Sequence, residues 1–296
     1  MPFQSWNDFW FRLIDVRQFA VLRIGLGILI LIYLAGYLRD FNDQFGPQGW
    51  LGSIQELNLY HAGNWSLWLL IDSEPLAMIA CFCLLLAALC FTLGFRTRLC
   101  GVITWVGLIS FWNRNPLLLD GDDAILRTML FYLLFAPCGN AFSIDGRVRP
   151  RERRAEIWPL RMMQMQLALV YFISGWVKFH SPQWLDGSVL QFVLIHPEYA
   201  RWDLGGLVQR PGLQALLGFV STLIMVWEVL FPVLICARLT RPFTLLIGLI
   251  FHTALLTFMH LRLFSVIMLF LYTLWTPNRF FAESPGEAPE DDPLST

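Results

Sequence analysis

From Pro75 to Phe95 the chain carries no charged residue, and a helix needs only about 20 apolar residues to cross a hydrocarbon layer of roughly 30 Å. The composition as a whole leans the same way. Of the 296 residues, 56% are hydrophobic and 15% charged, against roughly 25% charged in an average globular domain. A mean hydropathy of +0.56, with 25 Phe and 13 Trp to anchor span ends, points to several membrane crossings. The net charge of -1 lacks the basic footprint that nucleic-acid binding requires. Membrane lipid is therefore the first partner implied, and no nucleic acid is expected.

Eight segments meet or approach the spanning criterion: about Val16 to Leu38, Pro75 to Phe95, Leu99 to Trp112, Asp123 to Pro137, Pro159 to His180, Leu213 to Cys236, Phe243 to Met259 and Leu261 to Trp275. Arginine placement tests this count, because inner loops carry the positive excess. With the N-terminus inside, Arg96 with Arg98, the cluster from Arg147 to Arg154, and Arg238 with Arg241 all fall inside. The outer loops receive only Arg39, Arg114, Arg201, Arg210 and Arg262. The expected fold is an all-α integral membrane protein, a bundle of about eight transmembrane helices with interfacial helices and both termini cytoplasmic.

Residues 1–15 place Phe3, Trp6, Trp10 and Leu13 on one helical face, as in a helix lying in the headgroup plane. Residues 16–280 form the expected transmembrane domain. Residues 281–296 are expected as a disordered tail, since ESPGEAPEDDPLST is acidic and Pro-rich. The stretch WLDGSVLQFVLI, from Trp184, is too short to span and reads as an interfacial or re-entrant helix on the outer side. No secretory signal with a cleavage site precedes the first span, so insertion intact is expected. None of the six cysteines shows a metal-binding spacing, and no metal is expected.

Of the 21 cationic residues only one is a lysine, Lys178, embedded in LALVYFISGWVKFH. If snorkelling to the headgroups were its whole role, arginine would serve there as it does elsewhere in the chain. Lysine differs in being able to lose its proton when desolvated. Counting about 1.5 Å per residue, Lys178 lies near the outer end of the fifth span. Arg23 and Glu228 stand roughly 10 and 12 Å above the inner ends of their spans by the same rise, so a structural ion pair between them is expected. Asp123 and Arg127 share a helical face four residues apart. His252 is mid-membrane, while His260 falls in the outer turn before the last span. Architecture alone offers a reading of each: a snorkelling lysine, a helix-stabilising pair, a histidine bonded to a backbone carbonyl, an aromatic anchor at Trp184.

The run VYFISGWVKFHSPQWLDG, Val170 to Gly187, resembles the lysine-bearing segment of vitamin K-dependent gamma-glutamyl carboxylase and of the bacterial HTTM-domain proteins related to it. The resemblance includes GDDAILR (Gly121 to Arg127), FSIDG (Phe142 to Gly146), and FH (Phe251, His252) followed by LFS (Leu263 to Ser265), and extends over essentially all the spans. It implies a bacterial inner-membrane enzyme with its pocket towards the outer leaflet. The implied cofactors are a reduced vitamin K-type naphthoquinone (menaquinol or phylloquinol), oxygen and carbon dioxide. Quinol oxygenation would generate a strong base that takes a proton from a glutamate γ carbon, to which carbon dioxide adds. Carried over, Lys178 would be the initiating base, with Asp122, Asp123 and His252 as catalytic groups. Arg127, Trp176, Phe179, His180, Trp184 and His260 would bind the quinone, and a protein or peptide would be the substrate. Where the carboxylase has a histidine, this chain reads Asp120, Asp122 and Asp123. The animal enzyme also continues into a large extramembrane region, whereas this chain stops soon after its last span, so a different acceptor is expected. The alternative reading is a non-catalytic membrane partner that holds a lipid, quinone or peptide and assists maturation or export of another protein. A transporter ranks lower, because no pair of broken, symmetry-related spans is visible.

Overall fold

The computed structural model describes residues 2–51, 65–148 and 152–281; the acidic tail from Glu283 lies outside the described residues. The chain forms two compact units, one built from Met1–Arg161 with the stretch that opens at Pro277, the other from Met162–Thr276.

The first unit contains α1 (Pro2–Phe11), β1 (Leu13–Asp15), α2 (Arg17–Tyr37), α3 (Phe41–Phe45), α4 (Glu74–Leu93), α5 (Thr97–Arg114), α6 (Gly121–Leu134), α7 (Ile144–Val148), β2 (Arg154–Glu156) and the first turn of α8 (Trp158–Phe179). Helix α2 packs on α4 and α6, and α5 packs on both α4 and α6. Local chemistry sets the ends. Pro75 sits in the first turn of α4, where its missing N–H costs no helix bond. Gly94 closes that helix at φ 73, in the left-handed region that glycine favours. Helix α6 opens on a capping box in which Asp123 reaches back to the Asp120 amide at 2.6 Å.

Arg23, on α2, is 0% exposed. Its guanidinium donates to the carbonyls of Thr92 at 3.3 Å, Cys138 at 2.5 Å, Ala141 at 3.2 Å and Phe142 at 2.5 Å. These oxygens belong to the last turn of α4 and to the turn that follows α6. The Thr92 carbonyl, in the last turn of α4, has no donor within its own helix, and the helix dipole favours a cation there. The partner expected for Arg23 is Glu228; the Arg23 donors go instead to carbonyl groups of their own unit. Equal depth along two helices says nothing about which way two side chains point, and it overlooks backbone acceptors altogether.

The FSIDG motif fastens the same region. Asp145 accepts the amides of Arg96 and Thr97 and the Thr97 hydroxyl, each at 2.9 Å, and so caps the N-terminus of α5. Ser143 donates to the Gly139 carbonyl at 2.6 Å and accepts from the Gly146 amide at 2.8 Å.

The all-α expectation needs one correction. Leu13 lies in β1, which pairs antiparallel with β2, Leu13 opposite Glu156. The interfacial helix expected over residues 1–15 therefore ends at Phe11. Ile14 is buried in the ribbon, beside which the Val16 amide donates to the Arg153 carbonyl and the Ile157 amide to the Arg12 carbonyl, each at 2.9 Å. The Asp15 amide also donates to Asn278 Oδ1 at 3.1 Å, and Arg17 to the Phe281 carbonyl at 2.7 Å. The N-terminal ribbon and the last described residues thus meet at one end of this unit.

The second unit holds the rest of α8, then α9 (Pro182–Leu185), α10 (Val189–Val193), α11 (Gly205–Val208), α12 (Pro211–Cys236), α13 (Arg241–Phe258) and α14 (Phe264–Leu271), which tightens into a 3-10 turn over Tyr272–Trp275. Helix α12 packs on α13 and on the short helices α9, α10 and α11, while α14 packs on α13. The stretch from Trp184 breaks in two at Gly187, where φ is 76. The chain that follows is tied to the end of α13 by the Arg201 amide on the Phe258 carbonyl at 2.9 Å and the His260 amide on the Tyr199 carbonyl at 2.8 Å.

Every segment expected to span is a helix, but four of the helices (α2, α4, α12 and α13) are by length and composition able to cross a membrane. Helix α6 has only 14 residues, and α8 carries Arg161, Gln164, Gln166 and Lys178. The chain is a mostly helical integral membrane protein.

Replacing Arg23 by leucine would strip the donors from buried carbonyls, at about 1–3 kcal/mol for each unsatisfied group. Asp145→Ala should cost only about 1 kcal/mol, the worth of a lost cap. Thermal unfolding in detergent micelles should rank Arg23→Leu well below Asp145→Ala. The reverse order would refute this assignment.

Candidate functional site

Tyr171, Ser174 and Lys178 stand at positions i, i+3 and i+7 of α8, and so share one face. Gly175 lets that helix press against α12: a Cβ there would lie 2.7 Å from the Val229 amide nitrogen and 2.8 Å from Glu228 Cβ. The close approach carries Lys178 onto Glu228. Its Nζ lies 2.6 and 2.5 Å from the two carboxylate oxygens and 2.7 Å from Ser174 Oγ. The side chains are 18% and 3% exposed respectively, so both charges are largely withdrawn from solvent and each depends on the other. Pro232, one turn beyond Glu228 in α12, cannot donate the helix bond that would end on the Glu228 carbonyl. Trp184 completes the surroundings of the ammonium, its ring centroid 5.0 Å from Nζ.

Lys178 and Glu228 line a cavity of about 250 Å³. Its walls are apolar (Val170, Ile224, Phe251, Leu255, Phe264 and Met268 among them), and Trp184 and His252 complete them. His252 is 0% exposed. Its Nε2 is 2.6 Å from the Tyr171 hydroxyl, which lies 2.6 Å from the Tyr272 hydroxyl. Tyr171 is held in turn by stacking on Phe231, with ring centroids 4.0 Å apart, and by an edge contact with Trp227. The second unit thus presents an ion pair and a buried imidazole to one small apolar chamber. This arrangement can hold a ring and move protons at its edge.

The other sequence-predicted residues divide cleanly. Asp122, Asp123 and Arg127 belong to the first unit and find partners there. Asp122 Oδ1 accepts the Asp123 amide at 3.1 Å, and Arg127 lies over the Trp112 ring at 5.7 Å. Trp112 in turn donates to the Tyr33 hydroxyl at 2.9 Å. The groups found on the Lys178 ammonium are Glu228 and Ser174. Trp176 and Phe179 are exposed on the outward side of α8 and are absent from the cavity wall. His180 is exposed, its ring nitrogen Nδ1 on the Trp176 carbonyl at 2.8 Å, and His260 is exposed in the turn after α13. Sequence reasoning missed Ser174, Tyr171 and Tyr272, and gave Glu228 the wrong partner. Two signals were available: the helical spacing of 171, 174 and 178, and the fact that Glu228 is the only acid between Asp203 and Glu283.

Among known families, the model of the HTTM domain matches residues 11–280. No solved structure matches the chain.

Breaking the ion pair from either side leaves a charge without its partner. Lys178→Met and Glu228→Leu are each expected to destabilise by about 3 kcal/mol. The double variant, which removes both charges, should recover much of that loss. A double-mutant cycle on thermal midpoints in micelles measures the coupling, and simple additivity would show that the two side chains act independently.

Proposed function

Because the chain belongs to the HTTM domain family, which is associated with vitamin K-dependent carboxylase-like membrane proteins, we propose that it is a membrane enzyme acting through a reduced naphthoquinone and oxygen. In this reading the eight helices from α2 to α14 that coincide with the expected spans all cross the bilayer, four of them with polar or short segments sheltered inside the bundle. On the same reading the membrane is a bacterial inner membrane; the distribution of arginines supports cytoplasmic termini, with the Lys178 cavity towards the outer leaflet.

The observation that carries the reading is the position of the chain's single lysine. It faces an apolar chamber while bonded to both oxygens of Glu228. The fit to a naphthoquinone head group rests on the chamber itself. At about 250 Å³ it is a little smaller than the roughly 300–1,000 Å³ typical of drug-sized ligands. That is room for a bicyclic head group, with the tail left in lipid. A reduced naphthoquinone bound there supplies, with oxygen, the strong base that carbon-dioxide addition to a glutamate side chain requires. The chain's own residues handle the protons. One proton moved along the Lys178–Glu228 hydrogen bond converts the ion pair into an amine and a carboxylic acid. The neutral amine can then take a hydroxyl proton at the chamber edge, and Glu228 can return one. An arginine in the same place stays protonated and cannot perform this exchange. Val170, Leu255 and Met268 make the wall beside the pair apolar. The acceptor enters as a single side chain of a protein or peptide, since the chamber does not hold a folded segment together with a ring.

The test uses purified protein in lipid nanodiscs with reduced naphthoquinone and oxygen, following quinone epoxide by chromatography. Wild type should form epoxide, and Lys178→Ala and Lys178→Arg should each lose at least about 100-fold. The rival reading, a non-catalytic membrane partner, expects no epoxide from wild type and full retention of partner binding in Lys178→Arg.

A further inference from the structure

His252 has one nitrogen engaged and one without a partner. Nε2 is hydrogen-bonded to Tyr171, whereas Nδ1, equally buried, meets no donor or acceptor among the described residues. The direction of the chain from Tyr272 through Tyr171 to His252 follows from counting protons. Each tyrosine hydroxyl has one proton to give, and a neutral imidazole has one donor nitrogen and one acceptor nitrogen. If His252 donated from Nε2 to Tyr171, the Tyr171 proton would pass to Tyr272. The Tyr272 proton would then have no acceptor among the described residues, and Nδ1 would be an unfilled acceptor as well. If Tyr272 donates to Tyr171 and Tyr171 donates to Nε2, both tyrosine protons are placed and one group alone is left over, the Nδ1–H. Polar groups left without partners inside the protein are costly; the second arrangement leaves one among the described residues, where the first leaves two, the half-buried Tyr272 hydroxyl being the second.

We propose that Tyr171 and Tyr272 are positioning residues that hold His252 in the Nδ1–H form, and that this N–H is a hydrogen-bond donor for an oxygen of the cavity ligand. The proposal rests on the preceding reading of the cavity as a ligand site and adds the polarity of the ligand at this edge: it must present an acceptor oxygen, as a quinone carbonyl or a phenolate does. Packing makes the direction durable. Tyr171 is stacked on Phe231, and the Tyr272 hydroxyl occupies the space that a Cβ on Gly248 would need. The chamber thus handles its ligand at two places with opposite chemistry. Lys178 and Glu228 exchange a proton with it, while His252 supplies a fixed donor and need not change protonation.

The experiment is nitrogen NMR of full-length protein labelled on histidine, in nanodiscs, paired with binding of two probes. These are a short-tailed naphthoquinone and a naphthalene of the same shape without ring oxygens. The His252 signals, assigned by His252→Gln, should report a protonated Nδ1 in wild type. Tyr171→Phe should shift them towards a tautomer mixture, while Tyr272→Phe, which leaves the Tyr171 proton on Nε2, should shift them less. Tyr171→Phe should weaken the naphthoquinone about tenfold, one hydrogen bond's worth, and leave the oxygen-free probe unchanged. A protonated Nε2 in wild type, or equal weakening of both probes, overturns the proposal. Wild-type protein with the Nδ1–H signature that binds neither probe overturns the quinone reading and the ligand half of this one together. A wrong tautomer in protein that does bind naphthoquinone overturns this proposal alone.

Discussion

A charge removed from water must find its compensation inside the protein, and the two units meet that requirement in different ways. Arg23 is compensated by carbonyls, one in the last turn of α4 and three in the turn beyond α6, and so joins those two segments. Lys178 is compensated by a carboxylate, which joins α8 to α12. The first solution is permanent, because a guanidinium cannot give up its proton. The second can be rearranged, because an ammonium and a carboxylate can exchange one. The difference makes Arg23 a fixture of the fold and, in the proposed function, Lys178 the centre of the site.

The same contrast sorts the family's recurring motifs. The aspartate of FSIDG caps α5 and its serine closes a turn. The capping box at the start of α6 likewise uses the Asp123 carboxylate on a backbone amide. The run from Val170 to Gly187 instead supplies Tyr171, Ser174, Lys178 and Trp184 to one chamber, and FH adds the histidine. Residues of one resemblance therefore divide between holding the bundle and furnishing the cavity, and only side-chain contacts separate the two.

The ion-pair assignment shows where arithmetic along the chain fails. Heights counted at Cα set Glu228 beside Arg23 and left Lys178 a leaflet away. A lysine side chain, however, leans back towards the N-terminus of its helix, and here its ammonium rests on Ser174, one turn below its own Cα. Helices also tilt as their packing dictates, and α12, at 26 residues, is longer than a perpendicular crossing needs. The lean brings the ammonium about one helical turn nearer to Glu228 than its own Cα height suggests, and the close approach at Gly175 lets the two side chains meet. The N-terminal helix ended early for a comparable reason: amphipathic spacing reads through Leu13, but the strand partner at residues 154–156 is remote in sequence.

Local properties of the chain, its apolar runs, its proline and glycine punctuation and its solitary lysine, were enough to determine that this is a helical membrane protein, where its long helices lie, and that Lys178 is set apart. Those signals depend on neighbours within a turn or two and on transfer from water to lipid, so they can be read in order. Which groups meet was decided only by the tertiary structure. The approach allowed by Gly175 gives Lys178 to Glu228, the carbonyl ends of other segments claim Arg23, and Tyr171 and Tyr272 reach His252 from different helices. Helix rotation, tilt and separation control those meetings, and they are set by packing among residues far apart in the chain.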